Sequence, residues 1–121
     1  MFNIIRDIIK LVIIMKTIVE TTDNNKYEII KDYREGFIKE DFINRYTDYF
    51  SEFDYIVGDW SYGKLRLKGF YEDNNKKSSK INKISTLDKY IEENCAYGCK
   101  YFVAKKIIIW YNFFIVKEVW T

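Results

Sequence analysis

The chain has 121 residues, of which 48% are hydrophobic, 19% aromatic and 31% charged. This composition excludes wholesale disorder and collagen-like or low-complexity chains, and the length fits one domain. Twenty lysines and arginines against eighteen aspartates and glutamates give a formal net charge of +2, too small to indicate a nucleic-acid or membrane partner by bulk electrostatics. The sequence contains no histidine, which excludes the commonest general base.

Both ends of the chain are apolar. Paired isoleucines and valines at helical spacing predict an amphipathic helical extension over residues 1–15. An α+β domain over residues 16–106 follows, and then a second apolar extension over residues 107–121. Neither apolar run is long enough to cross a membrane as a helix. Each extension packs on the domain or forms a dimer or membrane contact. We find no signal-peptide cleavage site and expect a cytoplasmic protein.

The predicted domain begins with a β-hairpin, whose strands at residues 17–22 and 26–31 flank a turn of Asp and Asn. Apolar residues spaced by one and four positions then predict a helix over residues 39–52. Two further strands, at residues 55–59 and 65–71, flank a loop that contains Gly63 as its pivot.

A polar loop over residues 72–83 leads to a second predicted helix, which begins with a capping-box-like sequence at residues 85–88 and ends at Gly98. A last strand follows at residues 101–109. The order strand, helix, strand, strand, helix, strand, with an extra strand in front, predicts a mainly antiparallel sheet of about five strands. We expect two helices packed on one face of this sheet, as in ferredoxin-like folds.

The two cysteines are separated by three residues, which is not the spacing of a thioredoxin-type redox site. Cys95 completes the apolar face of the second helix, so we predict a reduced core cysteine, and Cys99 is expected to be a reduced thiol too. Without histidine the pair cannot fill a four-ligand zinc site, and the sequence has no glycine-rich phosphate loop. We therefore expect no catalytic residue, no metal site, no cofactor and no enzymatic activity.

The most distinctive segment is GDWSYGKLRLKGFYED, at residues 58–73. Alternation along its strand places leucines toward the helices and basic residues toward solvent. A basic strand face that carries aromatic rings suits single-stranded RNA or a ribonucleoprotein, because cations neutralise phosphates and rings stack on bases. The candidate phosphate-contacting residues are Lys64, Arg66 and Lys68, and the candidate stacking residues are Phe70, Trp60 and Tyr62.

Two other interpretations of this segment stay open. In the first, the strand face is solvated and its lysines discourage pairing with other strand edges. In the second, Trp60 and Tyr62 form a protein-interaction hot spot together with the apolar extensions, and the protein is an adaptor. The tripeptide at residues 68–70 matches only part of the basic-Gly-aromatic submotif of RNA-recognition motifs.

The sequences FDYIVGDW, YGKLRLKGF, ISTL and YGC, within residues 53–99, resemble the YutD-like family of small, uncharacterised proteins from low-GC Gram-positive bacteria. The resemblance covers about residues 16–106 and implies a single cytoplasmic α+β domain. It implies no established activity, cofactor or catalytic residue. Residues 1–14 look like an addition to the family's pattern, and the apolar residues 107–121 stand where the family has a more polar, often basic tail.

Overall fold

A computed structural model describes residues 17–95 and 98–108. The predicted helix over residues 1–15 lies outside the described residues, as does residue 109 onward of the apolar C-terminal extension. Of the helices within the described residues, none is long and apolar enough to span a membrane.

The described residues contain a five-stranded sheet. Its strands are β1 (Ile18–Glu20), β2 (Lys26–Tyr33), β3 (Tyr55–Ser61), β4 (Lys64–Phe70) and β5 (Tyr101–Ile107). The spatial order is β1-β2-β5-β3-β4, and every neighbouring pair is antiparallel. The predicted α+β class and mainly antiparallel sheet are therefore confirmed. The ferredoxin-like arrangement is wrong. That fold pairs its first and third strands in parallel at the centre of the sheet, whereas here β5 lies between β2 and β3 and is antiparallel to both.

Two α-helices, α1 (Lys39–Arg45) and α2 (Leu87–Asn94), cover opposite faces of the sheet. Phe42 of α1 packs in one core cluster with Ile56 of β3. α2 packs against the other cluster, which contains the next strand residue, Val57. Because adjacent strand residues point to opposite faces, the two clusters lie on the two sides of the sheet, here called the α1 face and the α2 face.

The prediction that both helices pack on one face is therefore wrong. Apolar periodicity shows that a helix buries one stripe, but it does not show which side of a sheet receives that stripe. The central strands are apolar on both sides: on β5, Phe102 is buried on the α1 face and Val103 on the α2 face. A strand buried on both faces needs a covering layer on each.

The first predicted helix is interrupted. Tyr46 and Thr47 have extended backbones, and a separate 3₁₀ helix follows at Asp48–Glu52. The Tyr46 hydroxyl donates a hydrogen bond to Oδ2 of Asp23 at 2.8 Å, in the turn between β1 and β2. Tertiary contacts of this kind override the helical periodicity, which continues through the aromatic residues of the segment.

The start of α2 also differs from the prediction. A 3₁₀ turn at Ile84–Thr86 precedes it, and the predicted capping box is not formed, because Ser85 lies within this turn and the N-cap residue, Thr86, makes no side-chain cap hydrogen bond. The Thr86 hydroxyl instead donates to the carbonyl oxygen of Lys83 at 2.6 Å. The helix ends at Asn94, so the prediction that it ends at Gly98 is wrong, although Gly98 has a left-handed φ of 73°.

Beyond α2, the chain brings Cys95 and Cys99 together. Their Cα atoms are 5.9 Å apart and their sulfur atoms are in contact, which places the two residues for a disulfide, and the reduced state of the thiols stays a prediction. This Cα separation lies in the usual range for a disulfide. Cys95 is half-buried at the rim of the α2 face and does not belong to the core, because the chain leaves the helix at this residue.

The close approach of the Gly58 backbone to the Phe102 ring allows a test of core packing. A Cβ at Gly58 would overlap the Phe102 ring. We expect Gly58→Ala to lower the free energy of unfolding by about 1–3 kcal/mol, as overpacked cores do. Chemical denaturation measures this change. The control is Gly63→Asn, at a position with φ of +74° and nothing within 4 Å of an added Cβ. Equal destabilisation by both substitutions would contradict the packing argument.

Candidate functional site

β3 and β4 form a hairpin closed by a two-residue turn. Ser61 pairs with Lys64, and the residues between them, Tyr62 and Gly63, have φ of 52° and 74°. Positive φ at both positions is typical of a type I′ turn, which favours Asn-Gly and Gly-Gly. The predicted pivot at Gly63 is confirmed, although the strands extend closer to it than expected. The Tyr62 side chain is fully exposed, at 102% of its reference accessibility.

A buried carboxylate lies behind this turn. Asp59 on β3 is 0% exposed and faces Arg66 on β4. Nε and Nη2 of Arg66 lie 2.8 Å and 2.6 Å from Oδ1 of Asp59, and the Tyr90 hydroxyl donates to Oδ2 at 2.9 Å. Arg66 also donates from Nη2 to the carbonyl oxygen of Asn94 at 2.8 Å. These contacts join β3, β4 and α2 around one charge.

The protonation states in this cluster suit a permanent ion pair. The hydrogen bond to Asp59 raises the pKa of Arg66. Burial, together with the hydrogen bond to Asp59, raises the pKa of Tyr90 to about 12. At neutral pH both partners therefore keep their protons and donate them to the carboxylate, which satisfies a group that would be costly to bury alone.

α2 and the loop before it also cover the end of β4. Phe70 is 0% exposed, and its ring meets that of Tyr90 edge to face at 5.6 Å. Nζ of Lys68 lies 4.5 Å from the centroid of the Tyr90 ring and donates to the carbonyl oxygen of Ile81 at 3.0 Å. Burial lowers the pKa of Lys68. Both side chains therefore contribute to packing within the domain.

The predicted alternation is confirmed along β4, because Lys64, Arg66, Lys68 and Phe70 share the α2 face. The expectation that this face is open to solvent is confirmed at Lys64 and Arg66 and is wrong at Phe70, which α2 covers, while Lys68 is half-buried beside α2. Tyr62, Lys64 and Arg66 are the exposed members of the predicted set, and Lys68 and Trp60 are half-buried.

Trp60 lies on the α1 face, on the opposite side of the sheet from the basic side chains of β4. It is half-buried against the α1-face cluster, and its indole Nε1 donates to the carbonyl oxygen of Gly36 at 2.7 Å. Nζ of Lys100 lies 4.4 Å from the centroid of its ring. The structure therefore does not place Trp60 in one surface with Phe70, and the polar edge of its indole is occupied.

Two grooves lie beside β4. The first groove runs along the outer edge of β4, has a volume of about 740 Å³, extends to Tyr62 and is bounded on the α1 side by Arg45 and Phe50. It combines apolar side chains with the cations Arg45, Lys64 and Arg66. The second groove, of about 170 Å³, lies on the α2 side. Among its described lining residues, the charged ones are Lys68, Lys80, Lys89 and Glu93.

A metal or cofactor role finds no direct support here. Within residues 17–95 and 98–108, no cluster of three or more His, Cys, Asp or Glu side chains is placed to hold a metal ion. The absence of catalytic residues and of a cofactor stays a prediction.

The sheet with one helix on each face, and the hairpin with its buried carboxylate, define a class of small α+β domain with known relatives. The family model "Putative antitoxin YutD-like" matches residues 21–105. The chain is 52% identical over 84 residues to "Putative antitoxin YutD" of Bacillus subtilis (strain 168), covering 69% of this chain and 92% of that protein. A solution NMR structure of protein yutD from B. subtilis matches with a TM-score of 0.64 and 47% identity, covering 76% of this chain and 83% of that one. The chain therefore belongs to the YutD-like family.

Arg66 is expected to be required for stability. Arg66→Gln leaves the Asp59 carboxylate buried without its cation, so we expect the free energy of unfolding to fall by about 2–4 kcal/mol. Arg66→Lys keeps the charge and should cost less. Urea denaturation of both variants measures the difference. A loss below about 0.5 kcal/mol for Arg66→Gln, the range of ordinary surface substitutions, would show that the ion pair does not stabilise the fold.

The raised pKa of Tyr90 predicts that the folded protein loses stability at alkaline pH. The unfolded chain loses the tyrosine proton near pH 10, while the folded protein holds it to about pH 12. The stabilisation is complete below pH 10 and is lost as the pH rises toward 12. We expect the unfolding free energy to fall across this window, with a shallower slope for Tyr90→Phe. Tyr55, whose pKa burial also raises to about 12, has the same effect in both proteins. Identical slopes would contradict the assignment.

Proposed function

We propose that this protein is a non-enzymatic binding module that neutralises a protein partner through the tip of the β3–β4 hairpin. The observation that supports this function is the fully exposed ring of Tyr62 at a left-handed turn position. A bulky residue in this conformation costs about 1 kcal/mol relative to the ordinary backbone regions. Because the ring is exposed, packing within the domain returns little of this cost, and a role in contacting another molecule accounts for it.

The surroundings of Tyr62 suit a protein interface. Tyrosine supplies a large contact area at low entropic cost and is enriched among the residues that dominate binding energies. The ring stands at the end of the first groove, whose lining mixes Phe50, Leu65 and Leu67 with cations. Such a mixture of an aromatic anchor, apolar side chains and peripheral charge is typical of interface cores with polar rims.

The name of the Bacillus subtilis relative, "Putative antitoxin YutD", suggests the kind of partner. An antitoxin acts by opposing a toxin. For this chain we propose a cytoplasmic toxin protein, which it blocks by occupying the toxin's surface.

An RNA-binding function retains fewer of its predicted contacts. Phe70 is buried, and the indole of Trp60 is engaged by Gly36 and Lys100, so of the three predicted stacking rings Tyr62 is the exposed one. Arg66 already holds Asp59. The balance favours a protein partner, and RNA is a distinct outcome of the following experiment.

Replacing Tyr62 should separate binding from stability. Asparagine tolerates the left-handed turn position, so we expect Tyr62→Asn to raise the free energy of unfolding by about 0.5–1 kcal/mol. The same substitution removes the aromatic anchor and should weaken partner capture at least about tenfold, which corresponds to about 1.4 kcal/mol. Affinity purification from the native host, with and without nuclease, measures capture, and denaturation measures stability.

The matched control is Ile18→Asn, which removes another exposed hydrophobic side chain, 57% exposed, at the opposite edge of the sheet. It should leave capture unchanged. The captured protein, expressed alone, should arrest growth, and co-expression with the wild-type chain but not with Tyr62→Asn should relieve that arrest. Capture that disappears on nuclease treatment would support the RNA function, and capture insensitive to Tyr62→Asn would refute the proposed site.

A further inference from the structure

The outer edge of β4 carries backbone groups that no other strand of the described chain pairs with. β4 is the last strand of the sheet order, and its pairing partner is β3. In a hairpin closed by a two-residue turn, the pair next to the turn exchanges its backbone hydrogen bonds, and every second pair along the ladder does the same. Lys64, Arg66 and Lys68 therefore direct their backbone groups to β3. Leu65, Leu67 and Gly69 direct theirs to the outer edge.

Three observed hydrogen bonds support this assignment. The amide of Trp60, opposite Leu65, donates away from β4 to the carbonyl oxygen of Lys100 at 3.1 Å. Tyr71, which continues the parity of the outward residues, donates to the carbonyl oxygen of Asn82 at 2.7 Å and accepts from the amide of Ile84 at 2.8 Å. The far end of the edge is thus occupied by the chain itself, as a parallel bridge between Tyr71 and Lys83.

The stretch from Leu65 to Gly69 has the geometry to receive one more strand. The described contacts give the outward amides and carbonyls of Leu65, Leu67 and Gly69 no hydrogen-bond partner. Leu67, at the centre, is half-buried, and Leu65 and Gly69 on either side of it are buried. An unpaired strand edge is a ready template for another strand, which favours a partner that supplies a complementary ladder.

The charge on both sides of the edge identifies the chemistry of that partner. The described charged residues of the first groove are all cations, and those of the second groove are three cations and Glu93. Glu93 lies 4.0 Å from Lys89, which offsets it. Arg66 is paired with Asp59, so Arg45, Lys64, Lys68 and Lys80 carry the positive charge that remains beside this edge. Side chains of an added strand alternate between the two grooves, so both sets meet positive potential.

We propose that the protein partner binds by adding an acidic, extended segment as a sixth strand along the outer edge of β4. This inference rests on the proposed function and specifies how the partner is recognised: backbone hydrogen bonds provide the docking, and carboxylates that face the two grooves provide selectivity. A second copy of this chain is disfavoured, because antiparallel pairing of two β4 edges brings the cations of one strand, such as Arg66, beside those of the other, such as Lys68.

The test uses the full chain and a blocked peptide of alternating glutamate and valine, matched to the seven residues of β4. We expect saturable binding, with hydrogen exchange of the Leu65, Leu67 and Gly69 amides slowed at least about tenfold. The amides of Arg66 and Lys68, already paired with β3, should change little. A peptide N-methylated at every central residue, which cannot form the ladder, and a peptide with lysine in place of glutamate should each bind at least about tenfold more weakly.

A charge reversal on the protein provides a matched pair of variants. Lys64→Glu, at the first groove, should weaken binding of the glutamate peptide several-fold, and Lys26→Glu, three strands away on β2, should not. Nuclear magnetic resonance spectra check that both variants are folded. Lack of binding, equal binding of the N-methylated peptide, or slowed exchange elsewhere than on the outer edge would overturn the proposal. Tighter binding of oligouridylate at this edge would overturn it too.

This result is independent of the capture experiment. Peptide pairing on β4 without capture of any toxin would contradict the proposed function but keep the docking edge. Capture that depends on Tyr62 but is accompanied by no pairing on β4 would keep the function and reject the added strand.

Discussion

The ion pair between Asp59 and Arg66 is the interaction on which the candidate site depends. It places a fully buried carboxylate between two strands, and Tyr90 completes its hydrogen bonding from a helix on the α2 face. A buried charge of this kind tolerates little displacement, because losing one partner leaves the other uncompensated. The cluster therefore fixes the position of α2 relative to the hairpin and, with it, the shape of the second groove beside β4.

The basic residues of the hairpin fall into two groups: those that hold the fold together and those exposed at its tip. Arg66 is held by Asp59 and the end of α2, and Lys68 lies over the rings beneath that helix, so both contribute to the fold. Lys64 and Tyr62 are exposed and form the part of the hairpin that another molecule meets first. The segment is distinctive in sequence because it contains residues that stabilise the fold and residues that are exposed. The amino-acid types alone do not show which residue has which role.

Local features of the site could be predicted from the sequence, and non-local ones could not. The alternation along β4, the pivot at Gly63 and the left-handed Gly98 follow from periodicity and backbone conformation within a few residues. The position of β5 between β2 and β3, and the side of the sheet that each helix covers, depend on contacts far apart in the chain. The Asp59–Arg66 pair falls between these cases. The predicted strands end at residue 59 and begin again at residue 65, so the predicted loop does not set Asp59 opposite Arg66. The observed two-residue turn at Tyr62 and Gly63 places them directly opposite each other.

Stability and binding are carried by alternate residues of one strand. Side chains of the inward-bonded residues, Arg66 and Lys68, hold the α2 face, whereas the outward backbone groups belong to Leu65, Leu67 and Gly69, whose own side of the strand packs against the α1 face. An added strand would therefore engage groups that the buried ion pair does not use. The cations beside this edge discourage pairing between identical edges, and in the proposed binding mode the same cations select an acidic segment.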